Sequence, residues 1–214
     1  MAKLICIEGH DAAGKHTQSL LLALSLKELG FKSVVVEVPH KKGISRLSHW
    51  FIYWMLNNGL ARRFPNAFQF VQFLNKLSFQ VFAVPALLAT NDYVIFDRWR
   101  LSSIVYGDAT GVNRRFNRFM YGFLMKPDIT LVMHGRSFKR KKADDAYEKD
   151  TALQAAVKKG YWDWALQHKN DHELVHNQGT VKEVHSRILS ILIHEDILKH
   201  DVFDLFSEDY DYEV

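Results

Sequence analysis

The stretch Gly9-His10-Asp11-Ala12-Ala13-Gly14-Lys15-His16-Thr17 constrains this chain more than any other. An apolar run, Leu4-Ile5-Cys6-Ile7, precedes it and a helical pattern follows, so the local order is strand, glycine loop, helix. Two glycines with a lysine directly after the second let successive backbone N–H groups turn inward around a phosphate chain, and the helix N-terminus adds its positive dipole end. Lys15 can then reach the β- and γ-phosphates of a bound triphosphate. The bare spacing Gly-x4-Gly-Lys also occurs in chance turns, and its place between a buried strand and a helix is what gives it meaning. His16 stands where a Ser or Thr ordinarily touches the magnesium shell, and Thr17 follows it.

The rest of the chain has the composition such a fold needs. At 214 residues, with 48% hydrophobic and 24% charged side chains, it reads as one globular domain with a sizeable core. The formal charge of +4 is modest and favours an anionic ligand only weakly. The single cysteine, Cys6, excludes an internal disulfide and is expected to be a small buried side chain. No signal-peptide pattern is present, and the longest apolar stretches, Trp50 to Leu56 and Val81 to Ala89, are too short to span a membrane. A cytoplasmic protein with no membrane partner is expected.

Apolar residues at Leu20, Leu21, Leu24, Leu26 and Leu29 predict a helix lying on a sheet and stopped by Gly30. Further strands are expected at Val34–Val36, Tyr93–Phe96, Ile129–Met133 and Glu173–His176. Strand, helix, strand within the first 38 residues implies a right-handed βαβ unit and hence a parallel sheet. The fold class is therefore α/β, a three-layer fold with a five-stranded parallel sheet and helices on both faces. Between Gly43 and Thr90 two helices are expected around Arg62-Arg63-Phe64-Pro65. Their apolar stripe, Phe70, Phe73, Leu74, Leu77, Val81 and Val84, reads mostly as core or subunit contact. Thr180-Val181-Lys182-Glu183 is a capping box opening a last helix that buries Val184, Ile188, Ile191 and Leu192. Residues 1–200 form the predicted domain, and 201–214 an acidic tail that is either mobile or docked on a basic surface.

Val94-Ile95-Phe96-Asp97-Arg98 places a carboxylate and a guanidinium at the C-terminal end of a buried strand, where open parallel sheets bind ligands. Asp97 can hold Mg2+ or its waters, and Arg98 can grip an acceptor phosphate in bidentate fashion. A structural ion pair is the plainer alternative.

Taken together, Gly9-x-Asp11-x-x-Gly14-Lys15-x-Thr17-Gln18, Asp97-Arg98-Trp99-x-x-Ser102-x-x-x-Tyr106, Lys126-Pro127-Asp128-Ile129-Thr130-Leu131 and Asp145-x-Tyr147-Glu148 resemble the thymidylate kinases, in order and at similar spacing over about residues 3 to 195. The resemblance implies a P-loop kinase, usually a homodimer, that uses ATP and Mg2+ to phosphorylate a nucleoside monophosphate. It assigns the whole loop, Gly9, His10, Asp11, Ala12, Ala13, Gly14, Lys15, His16 and Thr17, to ATP, with Asp97 and Thr17 nearest the metal. Asp11 would meet the acceptor's 3′-hydroxyl or phosphate region. Pro39 and Lys41 match the loop whose cation approaches the acceptor phosphate, and Asn75-Lys76 matches a pair whose cation touches the base. Ser102 and Tyr106 would line sugar and base, with the Tyr106 ring disfavouring a 2′-hydroxyl. Tyr147 and Glu148 follow a lid at about 135–148 that closes over the acceptor.

Several positions depart from that pattern. Ala12 leaves the loop without the arginine some members carry there, so the catalytic cation is expected from Arg136, Lys139 or Arg140 in the basic lid stretch. Ala146 removes one lid arginine. Gln72 replaces the phenylalanine expected one turn before Lys76, leaving Phe70 or Phe73 to stack on the base, and Gly107 replaces a glutamine.

His172-Glu173-Leu174-Val175-His176 matches a zinc metalloprotease motif, which requires a helix so that the two histidines share a face. Here it occupies the place of the fifth strand, where residues four apart lie roughly 13 Å apart and cannot grip one metal. The expected activity is transfer of a phosphoryl group from ATP to a deoxynucleoside 5′-monophosphate, dTMP first. Another pyrimidine monophosphate as acceptor and a low-turnover nucleotide-binding regulator are the alternatives. A nucleic-acid role through the basic lid is the weakest reading.

Overall fold

The computed structural model describes residues 2–40, 45–138, 147, 149–168 and 172–198. A single parallel sheet in the order β2-β3-β1-β4-β5 is built from β1 (Lys3–Gly9), β2 (Ser33–Glu37), β3 (Tyr93–Asp97), β4 (Ile129–His134) and β5 (Glu173–His176). All the expected strands are present. β2 does not pair with β1, because β3 enters between them with Leu4 opposite Val94 and Val34 opposite Val94 on its other side.

Alternation along β1 divides the core. Ile5 and Ile7 face one side and pack with Leu131, Met133 and Val175 against the helices α1 (Lys15–Glu28) and α9 (Val181–His194). Leu4 and Cys6 face the other side, beneath α4 (Pro65–Phe82), α5 (Val84–Thr90) and α7 (Arg114–Gly122). On that side, α6 (Arg100–Ala109) and α8 (Thr151–Gln167) close over Val132 and Leu174, together with α2 (Arg46–Asn57). Cys6 is buried, as expected.

The first helix is rotated relative to the leucine reading. Its buried face is Lys15, Gln18, Ser19, Leu22, Ser25 and Leu26, whereas Leu20 and Leu24 are 45% and 51% exposed. The phase is set by the loop: Lys15 must face the phosphate site, and the residues three, four and seven positions on then face the sheet with it. Burial of Leu22 and Leu26 contributes roughly 2 kcal/mol each. The small Ser25 lets α9 approach, and its hydroxyl lies 2.9 Å from His185 Nε2.

The long connection is more broken than two helices. Gly59, at φ 69°, ends α2 and starts the short α3 (Leu60–Arg63), and Pro65 and Pro85 stand in the first turns of α4 and α5. In α4 the buried side chains are Phe68, Gln69, Phe73, Asn75, Lys76 and Phe79. Phe70, Leu74 and Val81 of the expected stripe are exposed and so lie outside the core. Among the described residues no single helix is long and apolar enough to cross a membrane. α4 and α5 pass on length and composition only as a pair bent by 42°.

At the other end of the chain the capping box is formed as read. The Glu183 N–H donates to Thr180 Oγ1 at 3.2 Å, and the Thr180 N–H to Glu183 Oε2 at 2.7 Å. The segment carrying the metalloprotease-like motif is strand β5, so the helical geometry that motif requires is absent.

Candidate active site

The glycine loop leaves β1 at Gly9, whose φ is 142° and where an added Cβ would stand 2.5 Å from the Met133 carbonyl oxygen. Only glycine fits there. Lys15 is buried and its Nζ donates to the His10 carbonyl at 2.6 Å, so the ammonium already lies inside the loop. Burial, followed by the Arg98 charge, pulls its pKa down to about 7. His10 lies under the loop with Nδ1 2.8 Å from the Asp11 carbonyl oxygen, and burial pushes its pKa down to about 4, which keeps it neutral.

At the C-terminal end of β3, Arg98 adopts φ 72°, a costly conformation for a side-chain-bearing residue. That geometry turns its guanidinium onto Asp11 Oδ1, while Asp11 Oδ2 accepts from the Tyr106 hydroxyl and, at 2.7 Å, from Gln154 Nε2. Burial opposes ionisation of Asp11, but the Arg98 and Lys15 charges and these hydrogen bonds hold its carboxyl well below the usual range. Asp97, beside it, has Oδ2 3.3 Å from His16 Nδ1, which is also 3.3 Å from Glu37 Oε1. Asp97 Oδ1 is buried with no hydrogen-bond partner among the described residues.

Two cavities meet at this pair. One, of about 430 Å3, is lined by the loop from Ala12 to Thr17 and by Asn177 and Val181. The other, of about 300 Å3, is lined by Asp11, Pro39, Gln72, Phe68, Tyr106 and Tyr147 among others. Asp97 and Arg98 line both. The wall of the second cavity includes His49 and Tyr53 of α2, and Tyr106 and Tyr147 stand parallel with centroids 6.4 Å apart.

The structure therefore brings together the loop, Asp97, Arg98, Pro39, Gln72, Tyr106 and Tyr147. Thr17 is exposed at the rim of the first cavity. Four residues sit differently from the expectation. Phe73 packs edge-on against Tyr121 in the core and does not line the second cavity; Phe68 takes that position. Lys76 borders the cavity, but its ammonium donates to the Trp99 carbonyl at 2.6 Å and to Ser103 Oγ, and burial draws its pKa to about 8. Ser102 borders it too, with its hydroxyl held by Glu8 and Tyr161. Arg136 lies outside both cavities, exposed, with its guanidinium over the Phe138 ring. Lys41, Lys139, Arg140 and Glu148 lie outside the described residues, as do the acidic tail and most of the lid. The glycine at position 107 has a packing reason: an added Cβ would stand 2.3 Å from Asn117 Nδ2.

Three functional residues carry no motif, and a fourth, Asn75, enters the sequence reading only as the neighbour of Lys76. Asn177 ties the loop to the lid entrance, donating to the Ala13 and Arg136 carbonyls at 3.0 and 2.7 Å. Its position just past the C-terminal end of a strand was the available signal. Gln154 joins Asp11 to the Tyr147 carbonyl. Glu8 reaches from β1 to accept the Trp99 and Leu101 N–H groups at 2.8 and 3.1 Å, satisfying the start of α6. Asn75 clamps the strand β2 exit, accepting from the His40 N–H at 2.9 Å and donating to the Ser45 carbonyl at 3.0 Å.

Comparison with known proteins gives the chain both relatives and structural neighbours. A probable thymidylate kinase of Thermococcus onnurineus is 25% identical over 205 residues, spanning 89% of this chain and 97% of that one. One of Pyrococcus abyssi is 27% identical over 201 residues, spanning 89% and 96%. The solved thymidylate kinase of Candida albicans superposes with a TM-score of 0.75 at 24% identity, over 91% of this chain and 92% of that one. That of Ehrlichia chaffeensis gives 0.71 at 20%, over 89% and 98%. The family model described as thymidylate kinase matches residues 7–188, from the end of β1 through the loop and the Asp97-Arg98 pair into the capped last helix, and the chain belongs to the thymidylate kinase family.

Proposed function

We propose that the two cavities are the donor and acceptor sites of one direct, in-line phosphoryl transfer whose reacting atoms lie over Asp97 and Arg98. As a member of its family the chain is a nucleoside-monophosphate kinase that converts dTMP to dTDP with ATP as donor. The observation that carries the assignment of roles is that, among the described residues, Asp97 and Arg98 border both cavities.

In this reading the loop amides and Lys15 hold the β- and γ-phosphates, and Lys15 exchanges its His10 carbonyl for phosphate oxygen. Arg98 fixes the acceptor phosphate, with Asp11 holding the guanidinium in line. Lys41, one residue past the Pro39-His40 turn, is the second acceptor cation. Tyr106 and Tyr147 enclose the sugar and base, and Gln72 offers the base both a donor and an acceptor. Charge on the transferring group is covered by Lys139 or Arg140, or by Arg136 once it leaves Phe138. No side chain becomes phosphorylated.

Mg2+ fits the site, because the buried, unpartnered Asp97 Oδ1 suits the cation or one of its waters, with Thr17 at the rim. The ion would supply charge neutralisation across the donor phosphates. We also read the protein as a cytoplasmic homodimer; the exposed Trp50, Trp54, Phe70 and Leu74 support a subunit contact. The engaged Lys76 favours a second reading of the acceptor, in which other pyrimidine monophosphates are also used.

Transfer of a stereochemically labelled γ-phosphoryl group tests the mechanism. Inversion at phosphorus is expected, and retention would establish a phosphoenzyme and overturn it. Arg98→Ala should raise the acceptor KM far more than the ATP KM.

A further inference from the structure

The phosphate loop carries an imidazole where a hydroxyl would ordinarily meet the metal shell, and the structure shows where that imidazole goes. His16, in the first turn of α1, lines the first cavity together with Asp97. Its Nδ1 lies 3.3 Å from Asp97 Oδ2 at the end of β3 and 3.3 Å from Glu37 Oε1 at the end of β2. The two carboxylates stand side by side because Glu37 is the register partner of Asp97 in the sheet. Both also line the second cavity, so imidazole and carboxylates meet where the two cavities join.

An ion pair alone explains this cluster poorly. Charge-assisted hydrogen bonds between such groups run at about 2.7–2.9 Å, and neither 3.3 Å contact reaches that. The side chains of His16 and Glu37 are 54% and 46% exposed, where a pair contributes little to stability. Neighbouring donors on one octahedral ion, by contrast, lie roughly 3 Å apart. Asp97 is buried, and its other oxygen, Oδ1, has no hydrogen-bond partner among the described residues. A bare buried carboxylate oxygen is costly, and a cation or one of its waters would satisfy it.

We propose that His16 supplies a nitrogen ligand, next to Asp97, to the metal ion that accompanies the donor triphosphate, and that this nitrogen shifts the site's preference from Mg2+ toward octahedral transition ions such as Mn2+ and Co2+. Mg2+ takes oxygen ligands and gives up its waters reluctantly, whereas imidazole suits transition ions. Carboxylate and phosphate oxygens suit Mn2+ as well as Mg2+, so the imidazole is what separates the two. Among the described residues no three His, Cys, Asp or Glu side chains make a metal site by themselves. Phosphate oxygens and water must complete the shell, so the ion binds with the nucleotide rather than before it. Mg2+ still supports turnover, because Asp97 and the phosphates remain. The inference rests on the first cavity being the donor site.

The test uses the whole protein with Mn2+ and the methylene-bridged analogue of ATP, which is not hydrolysed and has no nitrogen in its phosphate chain. Electron spin-echo envelope modulation of the bound Mn2+ should show a coordinated nitrogen whose frequencies change when the histidines carry 15N. That coupling should vanish in His16→Thr, which restores a hydroxyl at an exposed position and should keep the fold, as read by circular dichroism. Displacing Mn2+ should take about tenfold more Mg2+ in the unaltered protein than in His16→Thr. Bound Mn2+ without histidine-nitrogen coupling, the same coupling in His16→Thr, or equal displacement curves would each overturn the proposal. None of these readouts requires turnover. Normal turnover with no nitrogen coupling therefore sinks this inference alone, whereas failure of Mn2+ and the analogue to bind together sinks the donor-site reading with it.

Discussion

The donor cavity and the acceptor cavity share Asp97 and Arg98 but are built differently. In the first cavity, proposed as the donor site, the groups assigned to the phosphates are the loop's backbone N–H groups and Lys15, all close to the turn between β1 and α1. Around the acceptor the wall is assembled from side chains on α2, α4, α6 and the segment at Tyr147, far apart in sequence. Several of its polar groups are already engaged: Lys76 by Trp99 and Ser103, Ser102 by Glu8. A backbone site commits the chain to phosphate, whereas a side-chain site divides its groups between holding the fold and reading the ligand.

The largest expected effect breaks the donor half. Lys15→Ala should lower kcat/KM by roughly 1,000-fold with the circular dichroism spectrum intact. Undiminished turnover would remove the loop from the mechanism. At the junction, Asp11→Ala leaves Arg98 without its carboxylate and should cost on the order of 3 kcal/mol in urea unfolding. Gln154→Ala, which removes only one partner of that carboxylate, should cost about 1 kcal/mol.

The acceptor half should respond more gently and more selectively. Gln72→Ala should raise the dTMP KM roughly tenfold while the ATP KM stays constant. Lys76→Met should act mainly on stability, by about 2 kcal/mol, through the Trp99 carbonyl and Ser103 hydroxyl it leaves bare. A change in base preference without a loss of stability would return Lys76 to base reading.

The smallest effect is a pH slope. Burial lowers the pKa of His185, as of His10, to about 4 in the folded chain, against 6.5 when unfolded. Between these values the unfolded chain binds protons that the folded chain does not, so stability is full above pH 6.5 and falls as pH drops toward 4. Urea titrations at pH 7 and 5 should show the loss, reduced in His185→Gln.

The same contrast explains what the sequence disclosed. Gly9, Gly14 and Lys15 were legible because a phosphate loop is encoded by local backbone needs, and the capping box at Thr180 and Glu183 because it is two hydrogen bonds within one turn. The strands were legible from short apolar runs, since both faces of the sheet are covered. The rotation of α1 was not, because leucine spacing alone does not say which side Lys15 must face. The packing of Phe73 and Lys76 was hidden for a related reason: their partners, Tyr121, Trp99 and Ser103, come from elements about 23 to 48 residues further along, and nothing near residue 76 announces them. Glu8, buried in a strand, reads as a misplaced charge until α6 supplies its donors.

The most direct test of the account is ADP release by the purified protein with Mg-ATP and each deoxy- and ribonucleoside monophosphate in turn. The account predicts multiple turnovers, fastest with dTMP and slower with other deoxypyrimidine monophosphates. Tight ATP binding with no turnover on any acceptor would contradict it and leave a nucleotide-binding protein that has kept the loop without the reaction.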